Sequence, residues 1–141
     1  MSRSVRASDA SICWAQPEAT IVTVSSGLAF TPLAVTPSYN ASKAAIHMLS
    51  ESIRLQFADT TVQVVELVPP SVRTSLVPGQ ESSEVAMPLN EFVAEALALF
   101  ETQPDATEIQ VERVKFLRYG EARGDYDQVV ATLNASDPHG K

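Results

Sequence analysis

The chain has 141 residues, enough for one domain around one core. Seventeen acidic side chains against ten basic ones give a formal charge of −7, which argues against a phosphate-backbone partner, so no nucleic acid is expected. Hydrophobic residues make up 45% of the sequence, so it folds, yet no stretch approaches the roughly 20 apolar residues of a membrane span.

Residues 1–15 are polar, patternless and without the apolar run of a secretory signal, and they read as an unstructured leader. Cys13, in that leader, is the one cysteine, so no internal disulfide can form. Neither it nor Trp14 is assigned any chemistry. Together these features point to a cytoplasmic protein with no membrane contact. Residues 20–25, Thr-Ile-Val-Thr-Val-Ser, are short and β-branched between Pro17 and Gly27, the pattern of a buried strand. A loop punctuated by Gly27, Pro32 and Pro37 follows. A helix is predicted over 37–57, where Ala41, Ala45, Leu49, Ile53 and Phe57 recur every four residues beside Met48. That is read as the apolar stripe of a helix laid on a sheet. Asp59 and Thr60 end it, and 62–68, Val-Gln-Val-Val-Glu-Leu-Val, is a second strand closed by Pro69 and Pro70.

Residues 71–87, rich in Ser, Pro, Gly and Glu, read as a mobile loop, with Glu81 and Glu84 solvated. Leu89, Phe92, Val93, Ala96, Leu97 and Phe100 fit an amphipathic helix that starts near Asn90 and Glu91. Residues 109–111 are a short third strand. A helix over 114–123 stops at Gly124. Tyr126, Val129, Val130 and Leu133 mark a last short helix, and the tail follows, with His139 solvated. The alternation of short apolar strands with helices gives an α/β fold: a right-handed βαβ crossover in a parallel sheet buried on both faces.

Tyr39 and Lys43 stand one turn apart at the start of the long helix and share a face. A nearby ammonium favours a phenolate, so this pairing suits proton exchange with a carbonyl or alcohol. Ser26 lies thirteen residues before Tyr39, at the carboxyl end of the first strand, where an open parallel sheet places its ligand crevice. It is set to hydrogen-bond a substrate oxygen. Alternation turns only one of Ser25 and Ser26 toward that crevice, and the spacing to Tyr39 favours Ser26. By itself Tyr-x-x-x-Lys is a pair that many surface helices carry. A strand ending in Ser-Ser-Gly before it and one ending in Pro-Pro after it make the combination specific. His47, two turns beyond Tyr39, has no second His or Cys nearby, so no metal is expected. Met87, Leu89 and Phe92 read as core packing ahead of pocket lining.

The segments Ile-Val-Thr-Val-Ser-Ser-Gly (21–27) and Ser-Tyr-Asn-Ala-Ser-Lys-Ala-Ala (38–45) are similar to the catalytic segment of the short-chain dehydrogenase/reductase family. The runs at 25–33, 86–92 and 111–118 resemble one branch, whose members are named as oxidoreductases in D-alanine esterification of teichoic acids. Over about residues 16–134 the resemblance implies the C-terminal part of a Rossmann-type doubly wound parallel sheet. The catalytic segment would be 20–80, the lid and C-terminal helices 81–134, and the tail 135–141. It implies NAD(P)-dependent interconversion of a small-molecule alcohol and carbonyl. In that scheme Ser26 polarises the substrate oxygen, Tyr39 is the general acid/base, and Lys43 stabilises the phenolate and holds the nicotinamide ribose. The segment from Pro69 to Thr74 would line the nicotinamide, with the Val72 backbone and Thr74 hydroxyl on its carboxamide. Pro69-Pro70 departs from the family's Pro-Gly and removes a backbone donor there.

None of the five glycines (27, 79, 120, 124 and 140) forms the family's pyrophosphate-binding turn. The Asn-Ala-Gly segment and the relay Asn are missing too. The expectation is therefore a chain without the N-terminal nucleotide-binding half, with a bare edge on its first strand and weak or no binding of NAD or NADP. Such a chain is either an incomplete, inactive piece of an oxidoreductase or a non-catalytic remnant that associates, as a homodimer, through its long helices. Neither the substrate nor the choice of NAD over NADP is written in these residues, because the side chain that makes that choice belongs to the missing half.

Overall fold

The computed structural model describes residues 17–135. The expected leader, with Cys13 and Trp14, and the tail beyond Ala135, with His139, lie outside the described residues. Three parallel strands, Ala19–Val24 (β1), Val62–Val68 (β2) and Glu108–Gln110 (β3), form a sheet in the order β1-β2-β3. The centre goes to β2, the most uniformly apolar run: Val62, Val64, Val65 and Val68 are all buried there.

The crossover from β1 to β2 is the helix Pro37–Gln56 (α1), with Pro37 in its first turn, where a fixed φ and a missing N–H do no harm. The face it turns to the sheet differs from the predicted stripe. Ser50 is fully buried, Ile53 half-buried and Phe57 buried, whereas Ala41 and Ala45 are exposed, with Leu49 49% and Met48 60% exposed. A four-residue spacing advances about 40° per step against a 3.6-residue turn, so a long i, i+4 row winds off the face it starts on. Only its last members, Ile53 and Phe57, meet the sheet, where they pack with Ala19, Ile21, Val62 and Val64.

The second apolar cluster joins Val68, Met87, Ala96, Val111 and Val114 to Phe30, Leu67, Phe92 and Leu99. It is closed by the helix Leu89–Thr102 (α2), which begins after Pro88 rather than on a side-chain cap at Asn90. Phe92, Ala96 and Leu99 face inward, while Leu89, Val93 and Leu97 stay 43–58% exposed. The expectation of core packing thus holds for Met87 and Phe92 and not for Leu89. The sheet is also not buried on both faces throughout. Along β1 burial alternates, and Val22 and Val24 are 45% and 46% exposed. Among the described residues, the second helical layer packs on β2 and β3 and leaves that face of β1 uncovered, and β1 pairs with β2 alone.

The predicted helix over 114–123 is two, Lys115–Arg118 (α3) and Gly120–Arg123 (α4), with a break at Tyr119. Gly124 ends α4 at φ +82°, a conformation suited to glycine. The helix Tyr126–Ala135 (α5) follows. The 71–87 segment is fastened at its base: the Arg73 amide donates to the Met87 carbonyl and the Met87 amide to the Ser71 carbonyl, both at 2.8 Å.

Candidate active site

The carboxyl end of β1 runs straight into the first candidate residues. The Ser25 amide donates to the Leu67 carbonyl and the Gly27 amide to the Pro69 carbonyl, each at 3.0 Å, so this stretch is held beside the end of β2. Ser26 is extended and buried, and its Oγ accepts the Leu28 amide at 3.1 Å, capping a one-turn 3-10 helix at Gly27–Ala29. Ser25 is buried more deeply still, with an Oγ that has no partner among the described residues. A Cβ on Gly27 would stand 2.8 Å from Leu117 and 2.9 Å from Val114, so glycine is what allows this turn to seat against α3.

The loop that delivers Tyr39 is pinned at several points. The Thr31 hydroxyl donates to the Leu117 carbonyl at 2.8 Å, and Asn40 Nδ2 donates to the Leu33 carbonyl at 2.8 Å. From α5, Asn134 accepts the Ala34 amide at 2.8 Å and donates to the Pro32 carbonyl at 3.0 Å. Asn134 lies just before the expected tail, near the end of α5. A lone Asn after Ala-Thr-Leu carries no sequence signal of this clamp.

Tyr39 is 37% exposed. The Lys43 ammonium lies 5.6 Å from the centre of its ring and donates to the Val24 carbonyl at 3.1 Å. The amine is therefore turned toward the end of β1, two residues before Ser26, and not into solvent alone. In the loop after β2, the Val72 carbonyl already accepts Gln80 Nε2 at 2.8 Å, and Thr74 Oγ1 accepts the Leu76 amide at 3.4 Å. A groove of about 420 Å³ opens between Arg73, Met87, Glu91 and Arg113, and Ser26, Tyr39 and Lys43 are not among its lining residues.

A second cluster sits on the same helix, two turns further. His47 Nδ1 lies 2.8 Å from Glu66 Oε2, and Glu66 is fully buried in β2. On β3, Glu108 receives Arg118 Nε at 2.9 Å and Nη2 at 2.8 Å. Burial pushes the Glu108 carboxyl up, but the bound Arg118 guanidinium, with Gln110 and His47, outweighs it and holds the group below the ordinary carboxylate range. The same hydrogen bond raises Arg118. The Phe30 ring stands edge-on to His47 at 4.6 Å, and Arg118 stacks on Phe30 at 4.1 Å. Beside the cluster, Thr23 Oγ1 and the buried Ser50 Oγ bond at 2.7 Å, tying β1 to α1.

A family model described as short chain dehydrogenase matches residues 5–84. Over 128 residues the chain is 42% identical to an uncharacterized oxidoreductase, DltE, of Bacillus subtilis, covering 86% of this chain and 49% of the relative. It is also 37% identical over 73 residues to an NADPH-dependent 1-acyldihydroxyacetone phosphate reductase of Schizosaccharomyces pombe, covering 50% of this chain and 25% of that protein. Among solved structures, a short chain dehydrogenase from Burkholderia cenocepacia in complex with NADP matches with a TM-score of 0.65 at 26% identity, over 81% of this chain and 48% of that one. A bulky-bulky ketone specific alcohol dehydrogenase from Comamonas testosteroni shares the fold, with a TM-score of 0.57 at 22% identity over 94% and 48% of the two chains. The chain thus spans about half the length of the Bacillus relative and of these solved structures.

Proposed function

Since the chain belongs to the short-chain dehydrogenase family, we propose that it carries the catalytic half of an NAD(P)-dependent oxidoreductase that interconverts an alcohol and a carbonyl. The observation that supports this most is the Lys43 ammonium, set between the Tyr39 ring and the Val24 carbonyl at the end of β1. From its exposed position beside that ammonium, the Tyr39 hydroxyl gives a proton to a carbonyl oxygen or takes one from an alcohol. Ser26, held extended at the strand end, orients that oxygen. The cofactor, when bound, supplies or accepts the hydride.

The residues fit one end of such a cofactor. Lys43 and Tyr39 offer a cation and a hydroxyl for the nicotinamide ribose. The Val72 carbonyl would have to release Gln80 before it met a carboxamide. No glycine-rich turn for the pyrophosphate occurs in the 141 residues. The 141-residue chain is accordingly expected to bind NADP or NAD weakly, and a micromolar constant by calorimetry would overturn that expectation. The solved relative in complex with NADP makes NADPH the first cofactor to try.

The experiment is to purify the chain as it stands and follow NADPH oxidation with a panel of ketones and aldehydes. Cofactor-dependent turnover that drops about 10²–10⁴-fold in Tyr39→Phe supports the enzyme. A stable dimer without turnover favours the second reading, an association module built on α1. That reading rests on the outward apolar side chains of α1, Met48, Leu49 and Leu55, exposed by 60%, 49% and 78%.

A further inference from the structure

Glu66 and Glu108 are register partners on β2 and β3, so two carboxylates stand side by side on the sheet. Neighbouring like charges repel unless a positive group lies with them. Arg118 answers Glu108 through Nε and Nη2, and Arg54 is committed to the carbonyls of Val64 and Thr107. Arg118 feels the Glu66 charge, but no guanidinium hydrogen-bonds to Glu66 among the described residues. It is fully buried, one oxygen rests on His47 Nδ1, and Oε1 has no hydrogen-bond partner among the described residues. A buried carboxylate oxygen left bare is costly, and buried charges are paired or coordinate a metal.

Three further features of the cluster point the same way. One ligand atom each from His47, Glu66 and Glu108 lies within 4.8 Å of the others. Donors around an ion at bond lengths of about 2.0–2.2 Å stand about 3–3.5 Å apart, so a side-chain shift of about 1–2 Å closes the set. The other His47 nitrogen, Nε2, faces the Glu51 carboxylate at 3.6 Å, as the far nitrogen of a metal-ligating histidine faces an orienting carboxylate. Glu108 also keeps acceptor capacity, because its Oε1 takes only Arg118 Nη2 and a carboxylate oxygen has two lone pairs.

We propose that His47 Nδ1, Glu66 and Glu108 bind one divalent transition-metal ion, with Glu51 orienting the imidazole. One imidazole and two carboxylates suit Mn2+, Fe2+ or Zn2+ better than Ca2+, which takes oxygen ligands alone. The ion would tie α1 to β2 and β3, and Phe30 with Arg118 walls one side of it. The sequence holds no second His or Cys near His47, but sheet register brings two carboxylates to it. The site is independent of the dehydrogenase reading.

The test uses the untagged 141-residue chain, stripped with a chelator and titrated with Mn2+ and, separately, Zn2+. One equivalent is expected to bind by calorimetry and to raise Tm by about 8 °C at a hundredfold excess over the dissociation constant. Bound Mn2+ should show coupling to one histidine nitrogen by pulsed electron paramagnetic resonance. Glu66→Gln should weaken binding by more than tenfold, and Glu51→Gln by about 10-fold. Absence of heat and of any Tm change with both ions in the wild-type chain overturns the proposal. So does Mn2+ bound without nitrogen coupling, or binding unchanged in Glu66→Gln.

Discussion

The two ends of α1 handle polar side chains in opposite ways. At its N-terminal turn, Tyr39 and Lys43 are partly exposed, and the chemistry proposed for them depends on being reachable. Two turns on, His47 and Ser50 reach inward to Glu66 and Thr23, and their polarity is answered inside the protein. The first arrangement is local, set by one turn of helix and one strand end. The second exists only because a strand passes beneath. The difference teaches that one helix can hold a reachable polar pair, proposed as catalytic, and an inward pair tied to the sheet, and that their losses should register in different measurements.

Tyr39→Phe against His47→Ala is the sharpest way to break that comparison. Tyr39→Phe should cut turnover by about 10²–10⁴-fold while leaving unfolding free energy within about 0.5 kcal/mol of wild type. His47→Ala leaves the Glu66 carboxylate buried with neither oxygen bonded, and should cost about 3 kcal/mol by urea denaturation. If His47→Ala were neutral in stability, the division between the two ends would fail. Next comes Gly27→Ala. Its Cβ would meet Leu117 and Val114, so about 1–3 kcal/mol of destabilisation is expected by the same assay. Asn134→Ala removes two bonds to the loop before Tyr39 and should cost about 1 kcal/mol, with faster hydrogen exchange at the Ala34 amide as the local readout.

The smallest effect is that of Lys115→Met. A hydrogen bond from Lys115 to Glu112 raises the lysine above its ordinary value, mild burial opposing it. A raised value means its contribution is present in full below about pH 10.5 and is lost as pH rises through the higher folded value. Both partners are largely exposed, so only a few tenths of a kcal/mol should disappear, and only on the alkaline side of a stability profile.

Much of the fold was legible from local pattern. The β-branched run before Ser-Ser-Gly, the Pro37 start and the Val62–Val68 strand fall within a residue or so of their predicted places. The misreadings share a cause. The apolar composition of the i, i+4 row on α1 points it at the sheet, yet helical drift carries Ala41, Ala45 and Leu49 away from it. The helix over 114–123 looked continuous because nothing at Tyr119 announces a break; packing of Gly120 beneath Val129 accompanies it. Of the candidate site, the nearness of Lys43 to the Tyr39 ring follows from their four-residue spacing, whereas the turn of Lys43 to the Val24 carbonyl and the Asn134 clamp do not follow from any local feature.

The sequence by itself determined the element order, the parallel α/β class and the Ser26, Tyr39 and Lys43 candidates, because periodicity and turn chemistry act over a few residues. Only the tertiary structure decided which face of α1 is inside, that β1 keeps an open edge among the described strands, and that Glu66 and Glu108 stand together beside His47. Those outcomes depend on strand register and helix placement. They bring residues far apart in the chain within a few ångströms, and no local pattern records that approach.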